Sequence, residues 1–366
     1  MKFIYLFLIP LMVYFPVSYA ATFCVTTSTQ LQSALDDAET NNQDNVIKIA
    51  KGSYVTLGAP FSYNQMITNA DGNLEISGAW SDLMGDPCGQ QLAVTPFDTV
   101  LDGNSSTRVM EIIPSNSADV TISHLFFING LTSSSPGGGL YVSAAQNNTG
   151  TFLLQQSAFI NNEAGYASAV HISGFDTMRI KNNLFVANKN VVAGIGACVY
   201  LFQVNAYGIY FINNTVLANH QVLSSTSGGG VLIGAYDSSS SMVANNLFWD
   251  NDDRDLSLIG NGQHHLINND IGVRGGTEPF VDSDNFSAAP KLSVGGSFDY
   301  SPSINSHLVN AGYQPPAVPP TPLPFNHDWS HGPLDIFGNI RAQYGRVDIG
   351  AYESPHELPI FRHGFE

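Results

Sequence analysis

Apolar residues in the middle of the chain come in short alternating runs such as VHIS, MRIK and LFVA, with no stretch at helical spacing among them. Alternation over three to five residues is the mark of a strand with one face buried. The runs recur. An opening position, an apolar residue two on and an Asn five on appear as His124–Phe126–Asn129, Ser157–Phe159–Asn162, Asn183–Phe185–Asn188, Asn214–Val216–Asn219 and Asn246–Phe248–Asn251. The closing Asn returns at intervals of 33, 26, 31 and 32 residues. A second pattern interleaves with it, three small residues and then a strand, as GGGLYV (137–142), ASAVHI (167–172), GACVYL (196–201) and GGGVLI (228–233). Two signals with one shared period define a solenoid.

Short strands joined by tight turns and restacked at that period give an all-β fold, a right-handed parallel β-helix with about three strands per coil. Asn tolerates the left-handed backbone of a sharp corner, and stacked amides can hydrogen-bond from coil to coil. The spacing therefore predicts an Asn ladder at 129, 162, 188, 219 and 251, with the Phe of each motif stacked inside. Both ends of a solenoid need covering. Residues 27–42 place Leu31, Ala34, Leu35 and Ala38 on one helical face, with Thr27 and Gln30 as a capping box, so a helical cap is expected there. From about 275 the chain turns Pro- and Gly-rich, which predicts an irregular cap wrapped over the far end. The resulting division is 1–20 leader, 22–102 cap and first coils, 103–274 repeat coils, 275–355 C-terminal cap and 356–366 tail.

The leader reading comes from Lys2, an apolar run and Ser18-Tyr19-Ala20, a signal peptide cut after about Ala20. The run is short and broken by Pro10 and Pro16, so no membrane span is expected in the mature chain. Export brings an oxidising compartment, and the chain has 3 Cys. Cys24 and Cys88, both outside the repeats, are expected to pair. Cys198 stands where other repeats carry Gly or Ala and reads as a small core residue, with a reactive thiol as the alternative. Net charge is −17 with no basic run, which excludes nucleic acid as a partner.

The segments SGAWSDLMGDPC, TVLDGNSS, SPSINSHLVNAG and DIFGNIRAQYGRVDIGAYE (335–353), with the GGGL and NN repeats, resemble the secreted right-handed β-helix proteins of the pectate-lyase-like superfamily. More narrowly they are similar to a bacterial group with a choice-of-anchor Q ending. The tail FRHGFE is similar to the short ending of many exported proteins of this kind. The resemblance covers nearly the whole mature chain and implies a β-helix at the cell exterior. It does not imply an enzyme.

Candidate chemistry lies on the outward strand positions. Between the inward residues of the second pattern stand Tyr141, His171, Tyr200 and Leu232, one per coil. Tyr141, His171 and Tyr200 form a candidate glycan-stacking column; loops covering the rings are the alternative. Asp250, Asp252, Asp253 and Asp255 gather the oxygens Ca²⁺ prefers, against a solvated turn or neutralisation by Arg254. No cofactor is otherwise required. Asp176, Arg179 and Lys181 echo a polygalacturonase RIK without the acidic motifs that precede it there, and read as solvent-facing charge. His264 and His265 alternate on a strand and cannot share a metal. Asp335, Arg341, Asp348 and Glu353 read as ion pairs and turns of the C-terminal cap. Asn104 and Asn147 head glycosylation sequons of little weight in so Asn-rich a chain.

The column has Ser143 and Ser173 beside it and no Asp. The leading expectation is therefore a non-catalytic secreted surface or matrix protein that binds a polysaccharide or cell-surface glycan along an extended face. A polysaccharide lyase or glycoside hydrolase using that face, and a structural spacer, are the alternatives.

Overall fold

The computed structural model describes residues 20–355 apart from 69–71, 84, 92–94, 146–147, 205–207, 294–295, 297, 315–329 and 343–344. The leader before Ala20, Asn147, the Pro-rich run from 315 and the tail from 356 lie outside them. The chain winds as a parallel β-helix, right-handed as parallel crossovers are. Each coil adds one strand to sheet I (10 strands), one to sheet II (8 strands) and one to sheet III (8 strands). One coil runs Thr177–Lys181, Leu184–Val186, then Val199–Val204. Every strand-to-strand pairing in the three sheets is parallel and joins one coil to the next.

Register fixes what lies inside. Phe127, Phe159, Phe185, Val216 and Phe248 are consecutive partners on sheet II and all fully buried. Phe127 and Phe159 stack at 4.5 Å, Phe159 and Phe185 at 5.3 Å. The first repeat is therefore read one residue early in the sequence. Phe127, not Phe126, enters the stack, and Asn129 is not a ladder residue. Gly130 holds the ladder position, its N–H donating to Asn162 Oδ1 at 2.9 Å. It packs so closely on the Gly138 backbone that no side chain fits there.

The ladder proper runs Asn162→Asn188→Asn219→Asn251, each Nδ2 donating to the next Oδ1 at 3.0, 2.9 and 2.7 Å. Each of these Asn side chains also donates back to a carbonyl of the preceding coil, as Asn188 does to Phe159 O at 3.0 Å. The left-handed corner belongs to the residue before: Asn129, Asn161, Ala187, Ala218 and Asp250 have φ of 52, 56, 54, 49 and 58°. Ladder and corner are thus separate positions, where the spacing had suggested one residue doing both.

A second ladder, between sheets I and II, runs Asn183→Asn214→Asn246→Asn269→Asn285 at 3.0, 3.1, 2.9 and 2.7 Å. It too is preceded by left-handed residues, Asn182, Asn213, Asn245 and Asn268 (φ 57, 52, 59 and 51°). The NN doublets now separate by role. The second Asn closes the coil, and the first points out to hold the C-terminal region: Asn182 Nδ2 donates to His331 O (2.5 Å), Asn213 to Asp348 O (2.9 Å), Asn245 to Tyr313 O (2.8 Å) and Asn268 to Ala311 O (3.0 Å).

That region does not simply wrap over the far end. Its described residues lie along the flank of sheet II, where outward Phe126, Ala158, Leu184, Leu217 and Leu247 would otherwise meet water, and cover them with Leu308, Ile336, Ile349, Ala351 and Tyr352. The apolar flank is the physical reason: burying it gains more than shielding an edge of strands. Inside this cover Asp335, Arg341, Asp348 and Glu353 are all buried. Arg341 pairs with Glu353 at 3.3 Å and donates to Asn182 Oδ1 at 2.7 Å. Asp335 accepts the N–H groups of Phe337, Asn339 and Glu353.

At the N-terminal end the helix Ser28–Thr40 starts at Thr27, whose hydroxyl accepts from Gln30 N at 3.2 Å. The Gln30 side chain reaches back to Thr26 N, one residue beyond a regular capping box. Leu31 and Leu35 plug the core. Gln32 behaves as a missing strand: its amide accepts from Ser62 N (3.0 Å) and donates to Ser62 O (2.9 Å), closing the first edge of sheet III. Cys24 and Cys88 are joined as a disulfide with Cα atoms 5.7 Å apart.

Candidate functional site

Sheet III presents its outward face between loops. Left-handed Gly137, Ala167, Gly196 and Gly228 (φ 70, 51, 72 and 75°) open its strands and require the small residues of the second pattern. The outward column is Glu111, Tyr141, His171, Tyr200, Leu232, consecutive partners in register. Glu111 is the residue that sequence spacing missed. Its strand, Met110–Ile113, lies before the first small-residue triplet, so the pattern did not reach it.

The column is not an open stack of three rings. Tyr141 lies parallel to His171 at 5.2 Å, and the Arg108 guanidinium sits over the Tyr141 ring at 4.7 Å. Tyr141 is thereby filled from both neighbouring coils. His171 is buried, with Tyr166 edge-on at 6.3 Å. Burial, with Arg108 nearby, lowers its pKa to about 4, so it is a neutral packing ring. Tyr200 turns edge-on to His171 and is half-buried, and burial raises its pKa to about 12.

Tyr200 instead belongs to an aromatic shelf further along the face. Phe202 lies 6.1 Å from Tyr200 and 5.6 Å from Tyr236, all three half-buried. Gly234, the partner of Phe202 in the next strand, is buried, and Phe202, Ile259 and Tyr236 close over it to within 3.3–3.4 Å of where a Cβ would sit, so the rings pack directly on its backbone. The same alternation carried two and four residues past Tyr200 and Leu232 would have found Phe202 and Tyr236.

At the other end of the column a cleft of about 760 Å³ is lined by Arg108, Glu111, Leu131, Glu163 and the run Thr132–Ser135. Arg108 forms an ion pair with Glu111 and donates to Gly137 O (2.9 Å) and Pro136 O (2.8 Å). Glu163 pairs with Lys189 at 2.9 Å. The loops here are themselves stacked, with Glu163 in register with Lys189.

The four aspartates diverge. Asp255 is buried and takes the place of the next ladder residue, accepting from Asn251 Nδ2 at 2.6 Å and Val273 N at 2.7 Å. Burial raises its pKa despite these donors. Asp252 accepts from Gln221 N at 3.0 Å, and Asp250 and Asp253 are exposed left-handed corner residues. Among the described residues no three of His, Cys, Asp and Glu converge as a metal cage. Of the two readings for 250–255, solvated turn or Ca²⁺ site, ladder and turn geometry engage Asp255 and Asp252 separately.

His264 points inward and meets Ser241 Oγ at 2.8 Å, while His265 lies on the opposite face against Phe280 at 5.5 Å. Arg179 lies 5.7 Å from the Tyr210 ring on sheet I, on a different face from the aromatic column. Cys198 is fully buried and its thiol pKa is pushed up by burial, which makes it inert.

No protein-family model and no curated relative matches the chain. A solved crystal structure of a pectin methylesterase from Aspergillus niger is similar at 13% identity over 75% of this chain and 92% of that one, with a TM-score of 0.29. A score that low bears on neither residues nor activity. The β-helix rests on the strand register itself.

Proposed function

We propose that this is a secreted glycan-binding β-helix, a non-catalytic surface or matrix protein whose sheet III face meets carbohydrate. The observation that carries this reading is the shelf of Tyr200, Phe202 and Tyr236 around Gly234. Half-buried rings held by a rigid sheet offer apolar area to sugar rings at little entropic cost. The Cys24–Cys88 disulfide suits an exported protein. Among the described residues no helix is long and apolar enough to cross a membrane. The ending at 335–353 supports surface retention of the choice-of-anchor Q kind.

A hydrolytic reading has one observation in its favour, two carboxylates lining one cleft. Each gives an oxygen to a cation, Glu111 to Arg108 and Glu163 to Lys189, which favours binding over acid–base work. Glycan-array binding followed by calorimetry, with product analysis in the same samples, tests the proposal. Binding without new reducing ends or unsaturated products is expected. Turnover of any bound glycan would replace it with the enzymatic reading.

A further inference from the structure

The cleft at the Glu111 end of the column has a chemistry of its own. Its cations are already paired: Arg108 donates one bond each from Nε, Nη1 and Nη2 to Gly137, Glu111 and Pro136 and lays its face on Tyr141, and Lys189 is paired to Glu163. An anionic ligand would find both nearby cations already neutralised by a carboxylate, in a chain of net charge −17. Acceptors are in the opposite state. Glu111 and Glu163 each bond through Oε2, and among the described residues Oε1 of neither has a hydrogen-bond donor. Hydroxyls of the Thr132–Ser135 run line the same space.

We infer that this cleft is a saccharide subsite selective for neutral sugars, with Glu111 and Glu163 accepting hydrogen bonds from ligand hydroxyls, and that it rejects uronates. Vicinal hydroxyls present adjacent donors that a carboxylate accepts without proton transfer, and such charge-assisted bonds are the strong ones. A uronate would place its carboxylate against the free Oε1 atoms of two carboxylates whose cations are held at Oε2. The rejection is electrostatic and belongs to the ligand's charge, not its ring shape. The inference deepens the glycan-binding reading by naming the sugar class.

The test uses the full chain, titrated by calorimetry with neutral gluco-, manno- and xylo-hexasaccharides and with a hexameric oligogalacturonate. At least one neutral hexamer should bind, and the oligogalacturonate should bind at least tenfold more weakly. Glu163→Gln and Glu111→Gln should each weaken the neutral ligand about tenfold, from the scale of a charged hydrogen bond. Thermal unfolding checks that both variants fold. Oligogalacturonate binding as tightly as the neutral hexamers overturns the inference, as does unchanged affinity in both variants. If Phe202→Ala abolishes binding while the Glu variants do not alter it, the shelf reading stands and the cleft falls. The reverse pattern leaves the cleft and removes the shelf, and silence towards every hexamer removes both.

Discussion

Asn213 and Asn214 are neighbours in the chain yet hold different parts of the molecule together: Asn214 donates to Asn246 Oδ1 (3.1 Å) inside the cylinder, and Asn213 donates to Asp348 O (2.9 Å) outside it. Asn214→Ala should cost about 3 kcal/mol, since it removes several bonds and strands buried partners. Asn213→Gly keeps the left-handed corner and should cost about 2 kcal/mol, from the bonds it donates to Asp348 O and Gly350 O and the one it accepts from Asn245. Urea unfolding of the two variants gives the comparison. Equal losses would mean that the doublet has no division of labour.

The Asn213→Gly variant should also become more sensitive to proteolysis between 331 and 355, where the covering segment lies, while the coils stay protected. Limited digestion with mass mapping reads this directly. Cleavage appearing first in the coils would contradict it.

Stability should peak near neutral pH. Burial lowers His124, His171 and His265 from 6.5 to about 4. Between those values the unfolded chain binds more protons than the folded one, so stability rises with pH through that window. Burial raises Glu353 from 4.5 to about 8, outweighing the Arg341 charge that lowers it. The folded chain holds that extra proton, so its contribution declines as pH rises from 4.5 to 8. Three histidines outweigh one glutamate on the acid side, and Glu353 contributes a decline from 6.5 to 8. Chemical denaturation across pH should show a maximum at about 6.5, and Glu353→Gln should flatten the alkaline limb. An alkaline limb that survives Glu353→Gln unchanged would remove Glu353 as its source.

Reduction of Cys24–Cys88, which spans 64 residues, should lower stability by about 4 kcal/mol on the loop-entropy scale. Denaturation with and without reductant measures it. A loss confined to the first coils would show that the bridge acts locally.

On the shelf, Phe202→Ala should weaken glycan binding by about 1 kcal/mol, and Gly234→Leu should block it by forcing Phe202 and Tyr236 out of their packed positions. Tyr141→Phe should leave affinity unchanged, since that ring is sandwiched between Arg108 and His171. Calorimetry on the three variants separates shelf from column.

Much of the cylinder was legible because its devices repeat: Phe159, Phe185 and Phe248, and Asn162, Asn188, Asn219 and Asn251, recur at fixed offsets from their strands. Asn129 misled because the first coil substitutes Gly130 at the ladder, and a neighbouring Asn at the corner mimics the motif one residue early. The C-terminal cover was hidden for a different reason. Its partners, such as Asn182 with His331 and Arg341, are some 150 residues apart, and no local spacing encodes that. Glu111 escaped because its role comes from register with Tyr141 across a coil whose strand carries no triplet.

Asp255 carries one more consequence. Every amide of its ladder both receives and gives, so the series could in principle be copied indefinitely, whereas a carboxylate gives nothing onward. Its placement ends this one series: a coil duplicated upstream of Asn251 would keep its amide donor at this corner, whereas the coil after Asp255 is held by strand pairing and by the second ladder, which runs on to Asn285. The two corners of the cylinder thus end at different coils, one at Asp255 and the other at Asn285, and swapping that acid for an amide would restore an onward donor at the first corner alone.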